Sequence, residues 1–170
     1  MPPIVDKSAK RADIIEHAAA VFSKTGYHAT KMQDIATAAG IGKGTIYEYF
    51  RTKEELFLAV YDAWMTEYEN VIRTRTAAAE DALSKVDAIR DSAVEFYTSR
   101  AEQAPLLLEF WAHALRTDNP AFLERVRRTR SFLKNLGASL TAELVNSGWF
   151  TEVDSISFSE LETGISDGIF

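Results

Sequence analysis

The chain contains no cysteine and only 4 prolines and 8 glycines among its 170 residues. Without cysteine it can form no disulfide, thiolate nucleophile or cysteine-ligated zinc site, which fits a reducing cytoplasm. The scarcity of proline and glycine favours helices, since both residues interrupt them. No apolar run approaches the ~18 residues that a membrane span needs, and Met1–Arg11 lacks the apolar core of a signal peptide. We therefore expect a cytoplasmic protein that contacts no membrane and needs no metal or other cofactor.

Charge is plentiful and unevenly distributed. The formal net charge is −6. Residues 1–56 carry eight Lys or Arg and seven Asp or Glu, whereas the remainder carries eleven and eighteen. A near-neutral N-terminal part with basic edges, followed by an acidic body, is compatible with nucleic-acid binding through one restricted face. It argues against a protein that coats nucleic acid non-specifically, which needs a broad basic surface.

Apolar residues recur at the helical spacing along the whole chain, and no stretch alternates in the manner of a strand. Helix signals agree with this pattern. Asp6 or Ser8 can cap the first helix and Gly26 can end it, while Thr30 and Gln33 stand at capping-box spacing before the second. The sequence therefore predicts an all-α protein with helices over Lys7–Lys24, Thr30–Ala39, Lys43–Phe50, Lys53–Ala79, Asp81–Gln103, Ala104–Arg116 and Asn119–Ser147.

The C-terminal segment Ser159–Phe170 has the pattern of the first turns of another helix. Leu161, Ile165 and Ile169 would lie on one face of it. The chain then stops without a polar end or a cap. We expect the gene product to be longer than this chain.

Two short predicted helices are joined by the tight turn Gly40-Ile41-Gly42 and preceded by a longer helix, which is the arrangement of a helix-turn-helix. In such a unit the second short helix enters the major groove of DNA and the first braces it. Ala36, Ala39 and Gly40 are small enough to let the two short helices cross closely. The arrangement favours a DNA-binding domain at the N-terminus.

Between residues 22 and 56 the chain carries the pattern Phe22-x3-Gly26-Tyr27-x2-Thr30-x3-Asp34-Ile35-Ala36-x2-Ala39-Gly40-Ile41-x2-Gly44-Thr45-Ile46-Tyr47-x-Tyr49-Phe50-x2-Lys53-Glu54-x-Leu56. It closely resembles the N-terminal domain of the tetracycline-repressor (TetR) family, and the resemblance spans residues 8–60. It implies a three-helix helix-turn-helix DNA-binding domain over residues 1–52. A helical ligand-binding and dimerisation bundle would follow over residues 53–170.

The resemblance places DNA-backbone contacts on six residues that flank the two short helices: Thr30, Lys31, Met32, Tyr47, Tyr49 and Lys53. Thr30 would cap its helix and meet a phosphate, and the two tyrosines would offer their phenolic hydroxyls. Lys53 would add its charge and the N-terminus of its helix. The alternatives are that the tyrosines belong to a half-buried core and that Lys31 and Lys53 are solvated surface charges.

The same resemblance implies that Gly42, Lys43, Gly44 and Thr45 form the tip that enters the major groove. Lys43 suits guanine O6 and N7, and Thr45 can pack on a thymine methyl group. The alternative for Gly44 is a need for close helix packing only. The family often has Ser or Thr where this chain has Gly42, so one hydroxyl contact to phosphate is missing here.

In the C-terminal region, aromatic side chains and one histidine recur along several predicted helices. By resemblance to the family, such a body encloses a pocket for a small hydrophobic effector. The alternative is an ordinary aromatic core. The candidate pocket residues are Trp64, Tyr68, Phe96, Phe110, Trp111, His113 and Phe132.

These features predict a transcriptional regulator, in the first place a repressor. Two copies would bind a palindromic DNA operator as a homodimer, and an effector would release them by favouring a state with the wrong spacing. The helix that begins at Lys53 would act as the lever between the two regions. Dimerisation usually uses the family's last two helices, so the dimer interface of this chain is open.

Three other functions are alternatives to a repressor. An activator fits the sequence as well as a repressor does. A DNA-binding architectural protein would need no effector. An all-α enzyme is the third, but we find no catalytic constellation, and Asp13 with His17 supplies only two metal ligands at i, i+4 spacing.

Overall fold

The computed structural model describes residues 6–149, and all regular structure in that range is α-helical. The predicted fold class is confirmed. None of the helices in this part of the chain is long and apolar enough to cross a membrane. The helices are α1 (Lys7–Thr25), α2 (Met32–Ala38), α3 (Lys43–Tyr49), α4 (Lys53–Ala78), α5 (Ala82–Ser99), α6 (Ala104–Ala114) and α7 (Pro120–Asn146).

Local capping signals set most of these boundaries. The Asp6 carboxylate accepts a hydrogen bond from the Ser8 backbone N–H at 2.9 Å and begins α1. Thr52 Oγ1 accepts from the Glu55 N–H at 3.0 Å at the start of α4, and Asn119 Oδ1 accepts from the Ala121 N–H at 3.1 Å at the start of α7. Each satisfies at least one N–H that a helix start leaves without an intrahelical partner.

Helix α5 is shorter than the sequence predicts. It ends at Ser99 rather than Gln103. The Gln103 and Ala104 N–H groups both donate to the Arg100 carbonyl, at 2.8 and 2.9 Å. This closes a turn before α6 begins, where the sequence pattern alone suggested an unbroken helix.

The chain divides into two compact units, which we call the head unit and the body unit. The head unit is Met1–Trp64 with Arg100–Arg116, and the body unit is Met65–Ser99 with Thr117–Phe170. Helix α6 therefore belongs to the same unit as α1, α2 and α3. The predicted division at residues 52 and 53 concerns function, and it remains a prediction.

A continuous apolar core holds the head unit together. Phe110 of α6 lies fully buried, stacked on Tyr61 with ring centroids 4.0 Å apart and tilted against Phe57 at 5.2 Å. Each such buried aromatic side chain stabilises the fold by about 1.5–3 kcal/mol. Further fully buried side chains of the head unit include Ile14, Ala18, Phe22, Ile35, Ala36, Ile46, Phe50, Leu56 and Val60.

The body unit is built on the packing of α5 against α7. Tyr68 of α4 lies against Phe96 of α5 with ring centroids 4.7 Å apart, and Lys85 pairs with Glu143 at 2.5 Å. The apolar pattern of the sequence, with Val86, Ile89, Val94 and Phe96 along this helix, predicts that Val94 faces inward. That prediction is wrong, because the Val94 side chain is 56% exposed. Ser92 and Phe96 take the inward positions, and the residue midway between them falls on the opposite side of the helix.

Candidate nucleic-acid interface

The two short helices are joined by a tight turn at Gly40, whose φ is +63°. The Ile41 N–H donates to the Ala36 carbonyl at 2.9 Å and closes the turn. Ala36 and Ala39 are buried, so small residues do allow α2 to pack closely. At Gly40 a Cβ atom would meet nothing within 4 Å. Glycine is therefore favoured at this position because the backbone is left-handed, and not because a larger side chain would collide with a neighbour.

Helix α3 stands on a buried base and presents an exposed tip. Ile46 is fully buried, whereas Gly42, Lys43 and Gly44 are exposed and Thr45 is half-buried. A Cβ atom at Gly44 would meet nothing within 4 Å, so the alternative that this glycine serves close helix packing is wrong. The open side of the tip is the side that a DNA groove would have to occupy.

The two tyrosines at the end of α3 lie at the surface to different degrees. Tyr47 is 42% exposed, and Tyr49 is half-buried. Tyr47 is therefore not a core residue, which leaves its hydroxyl available to a partner from outside. Both tyrosines remain predicted phosphate contacts.

Thr30 takes a different place from the one predicted. It is only 2% exposed, and its hydroxyl donates to the Gly26 carbonyl at 2.6 Å. The N-cap position of α2 is Lys31, whose backbone N–H donates to the Asp34 carboxylate at 2.9 Å. The predicted cap by Thr30 with Gln33 is therefore wrong, because the hydroxyl closes the preceding loop instead.

Lys53 points into the head unit. Its ammonium donates to the carbonyls of Tyr27, His28 and Thr30 at 2.6, 3.1 and 2.9 Å. It also lies 4.5 Å from the centroid of the Tyr27 ring. Burial lowers the pKa of this ammonium. Because three carbonyls match its three N–H groups, Lys53 is not a solvated surface charge, and a phosphate contact would have to compete with them.

Met32 and Lys31 differ in exposure. Met32 is 7% exposed and packs into the core, so its predicted DNA contact would have to use the backbone, and it remains a prediction. Lys31 is exposed. The sequence did not predict the contact of Glu109 of α6 with the loop before α2, where its carboxylate accepts a hydrogen bond from the Tyr27 backbone N–H at 3.0 Å. No local signal could have revealed it, since the two residues lie 82 positions apart.

The predicted pocket residues fall into both units. Trp64, Phe110, Trp111 and His113 belong to the head unit, and Tyr68, Phe96 and Phe132 to the body unit. The full burial of Phe110 fits a core role. The membership of the other residues in a ligand pocket remains a prediction.

Three of these residues, His113, Tyr68 and Phe132, have electrostatic surroundings that the structure defines. His113 Nε2 lies 4.0 Å from Glu54 Oε1, its ring is 4.8 Å from that of Tyr27, and burial lowers its pKa. In the body unit, burial raises the pKa of Tyr68 to about 12, and the Arg73 guanidinium lies 4.7 Å from the Phe132 ring centroid. Among residues 6–149, no group of three metal-ligating side chains comes together.

Residues 14–60 match the family described as bacterial regulatory proteins, tetR family. The transcriptional repressor KstR2 of Rhodococcus jostii is 23% identical over 172 residues, covering 99% of this chain and 73% of the relative. The fatty acid metabolism regulator protein of Bacillus subtilis is 33% identical over 78 residues, which are 44% of this chain and 40% of the relative. The strongest identity thus lies in shorter matches.

Solved structures share the fold over nearly the whole chain. A TetR transcription regulator from Haloarcula marismortui has a TM-score of 0.86 at 20% identity, covering 95% of this chain and 84% of its own. AibR in complex with isovaleryl coenzyme A and operator DNA has a TM-score of 0.67 at 21% identity, covering 91% and 82%. The relatives and neighbours are transcriptional regulators rather than enzymes.

Proposed function

Because this chain carries the regulatory-protein domain of the tetR family over residues 14–60, we propose that it is a sequence-specific, DNA-binding transcriptional regulator. One observation carries the proposal: α3 has a buried base at Ile46 and an exposed, sterically open tip at Gly42–Gly44. This shape suits a helix that enters the major groove. Such a protein acts in the cytoplasm, where bacterial DNA lies.

In this proposal the tip reads bases and its flanks bind phosphates. Lys43 donates to guanine, and Thr45 packs on a thymine methyl group. Tyr47 and Tyr49 donate their hydroxyls to phosphates, with the Lys31 side chain and the Met32 backbone beside them. Thr30 and Lys53 serve mainly through the loop between α1 and α2, because their polar groups already bind its carbonyls.

We further propose that the protein is a homodimeric repressor released from a palindromic operator by a small effector. An acyl-coenzyme A thioester is the class we favour, since the AibR complex contains isovaleryl coenzyme A and operator DNA. In this chain, the Tyr68–Phe96 pair offers aromatic surface to an acyl chain, and Arg73 offers a cation to a phosphate. Release follows if the effector binds the DNA-incompetent state more tightly.

Duplex selection tests this function. The full chain is mixed with a random-sequence duplex pool at about 50 mM salt, where phosphate contacts are strongest. We expect enrichment of one palindrome whose half-sites lie about one helical turn, or a multiple of it, apart. Failure to enrich any duplex would contradict DNA binding.

The selected duplex then serves as the probe for the effector. Acyl-coenzyme A thioesters of increasing chain length are added to the complex, with coenzyme A alone as the control. We expect at least one thioester to release the duplex while coenzyme A does not. Retention of the duplex with every thioester would exclude this effector class and leave the DNA-binding role intact.

A further inference from the structure

The loop between α1 and α2, residues 26–31, is held through its carbonyls on one side. Lys53 of α4 binds three of them, including that of Thr30, two residues before α2 begins. The Thr30 hydroxyl adds a bond to the Gly26 carbonyl at 2.6 Å. The loop therefore fixes where α2 starts, and α2 packs against α3.

The same loop is held through a backbone amide by helix α6. The Tyr27 N–H lies 3.0 Å from both Glu109 Oε1 and Glu109 Oε2. The approach is close, because a Cβ atom at Gly26 would lie 3.6 Å from each of these oxygens. A carboxylate is a stronger acceptor for an amide than a neutral group.

The Tyr27 amide has little alternative to this carboxylate. The residue is 5% exposed, and its ring stacks on Phe57 at 4.4 Å between centroids. The Phe22 ring also lies near the Tyr27 ring, with 5.9 Å between their centroids. If Glu109 were removed, a buried N–H would lose its partner, and the loop would have to move to find water.

We propose that Glu109 is a positioning residue for the DNA-binding surface, acting on α2 and α3 through the Tyr27 amide and the loop that Lys53 holds. This inference rests on the proposed DNA-binding function. If the proposal holds, α6 contributes to DNA binding although its sequence lies far outside the helix-turn-helix. Glu109 itself contacts no DNA in this account.

Whether Glu109→Ala strengthens or weakens DNA binding distinguishes a positioning role of Glu109 from a simple effect of its negative charge. Removing a negative charge from a DNA-binding protein should by itself strengthen binding, since phosphates repel carboxylates. Loss of the Tyr27 contact should weaken it. We expect Glu109→Ala to bind the selected duplex about tenfold more weakly, the effect of one charge-assisted hydrogen bond.

Two further variants accompany Glu109→Ala. Glu109→Gln keeps an oxygen acceptor for the Tyr27 amide and should restore most of the affinity. Glu102→Ala removes the same charge from an exposed position in the same unit and should bind as the wild type does, or slightly more tightly. Thermal unfolding of each variant sets a temperature at which all are folded.

An amide NMR spectrum provides a readout that does not depend on DNA. Hydrogen exchange of the Tyr27 amide proton is compared in the wild-type full chain and in Glu109→Ala. Exchange should be about tenfold faster in Glu109→Ala, because the amide loses the carboxylate that accepts its hydrogen bond. Equal exchange rates in the two proteins, or a Glu109→Ala protein that binds the duplex as well as the wild type, would overturn the inference. A wild-type protein that selects no duplex would instead overturn the proposed function, while the NMR result still decides whether the contact exists.

Discussion

Two glycines of the head unit lie in contrasting surroundings. Gly26 has φ +76° and ψ 158°, a conformation that other residues rarely adopt, and it lies against the Glu109 carboxylate. Gly44 lies in α3 with open space around it. The fold explains the first glycine but not the second, and in the proposed function Gly44 would let the α3 tip approach DNA closely.

We therefore expect Gly44→Ala to raise the stability of the fold and to weaken DNA binding. The free energy of unfolding should rise by up to about 1 kcal/mol, because alanine favours a helix over glycine. Affinity for the selected duplex should fall about tenfold, because a methyl group would stand between the tip and the groove. Denaturant unfolding and a binding titration measure the two effects.

Gly26→Ala is the matched comparison. It should lower the free energy of unfolding by about 1–3 kcal/mol through backbone strain. If Gly44→Ala bound the duplex as tightly as the wild type, the second residue of α3 would not face DNA.

Single residues were predictable where their role is local or where they face outward. The exposed tip around Lys43 follows from the family pattern and was found in that place. Thr30 was not predictable, since its hydroxyl has a choice between capping α2 and closing a loop, and the loop geometry decides. Glu109 was not predictable either, because its partner is brought near only by the packing of α6.

At the scale of elements, the starts of α1 and α7 were predicted from the sequence, whereas the cap of α2 was not. Asp6 and Asn119 act within their own helices, so sequence alone contains the information. The end of α5 and the direction of Val94 depend on neighbouring helices. For both, the apolar periodicity of the sequence gave a wrong prediction. Amphipathic patterning identifies a helix more reliably than it identifies the face that another helix will cover.

The contact between α6 and the start of α4 makes stability depend on pH. His113 of α6 faces Glu54, Glu109, His28 and Arg116, and burial is the largest cause lowering its pKa below the ordinary value of 6.5. The folded state thus prefers the neutral imidazole, and the unfolded state takes up the proton first. The free energy of unfolding should fall as the pH decreases below about 6.5.

Denaturant unfolding between about pH 7 and pH 4.5 measures this dependence. Asp6, Asp13 and Asp81 have a pKa lowered from 3.8, so their contributions are lost only at lower pH. His113→Gln should flatten the dependence, because it removes the imidazole that the folded state keeps neutral. An equal slope in the wild type and in His113→Gln would refute the assignment.

At the scale of the whole molecule, the sequence pattern predicted the all-helical fold correctly, and the match to the tetR-family model falls at residues 14–60, within the region that carries the pattern. It did not show that α6 belongs to the head unit, because that membership rests on rings far apart in sequence, such as Phe110 on Phe57. The net charge of −6 does not oppose DNA binding, since the acidic excess lies beyond residue 56. The proposed function needs only a restricted contact face, for which α3 with its exposed tip is the candidate.

The central claim is that α3 reads base sequence, and Lys43 tests it most directly. The measurement is the affinity of wild type, Lys43→Ala and Lys24→Ala for the selected duplex and for every single-base-pair variant of one half-site. Lys24 is an exposed cation in the last turn of α1 and serves as the control. We expect Lys43→Ala to lose about 1–3 kcal/mol of discrimination at one base pair, and Lys24→Ala to keep the wild-type preferences. Unchanged preferences at every position in Lys43→Ala would contradict the account.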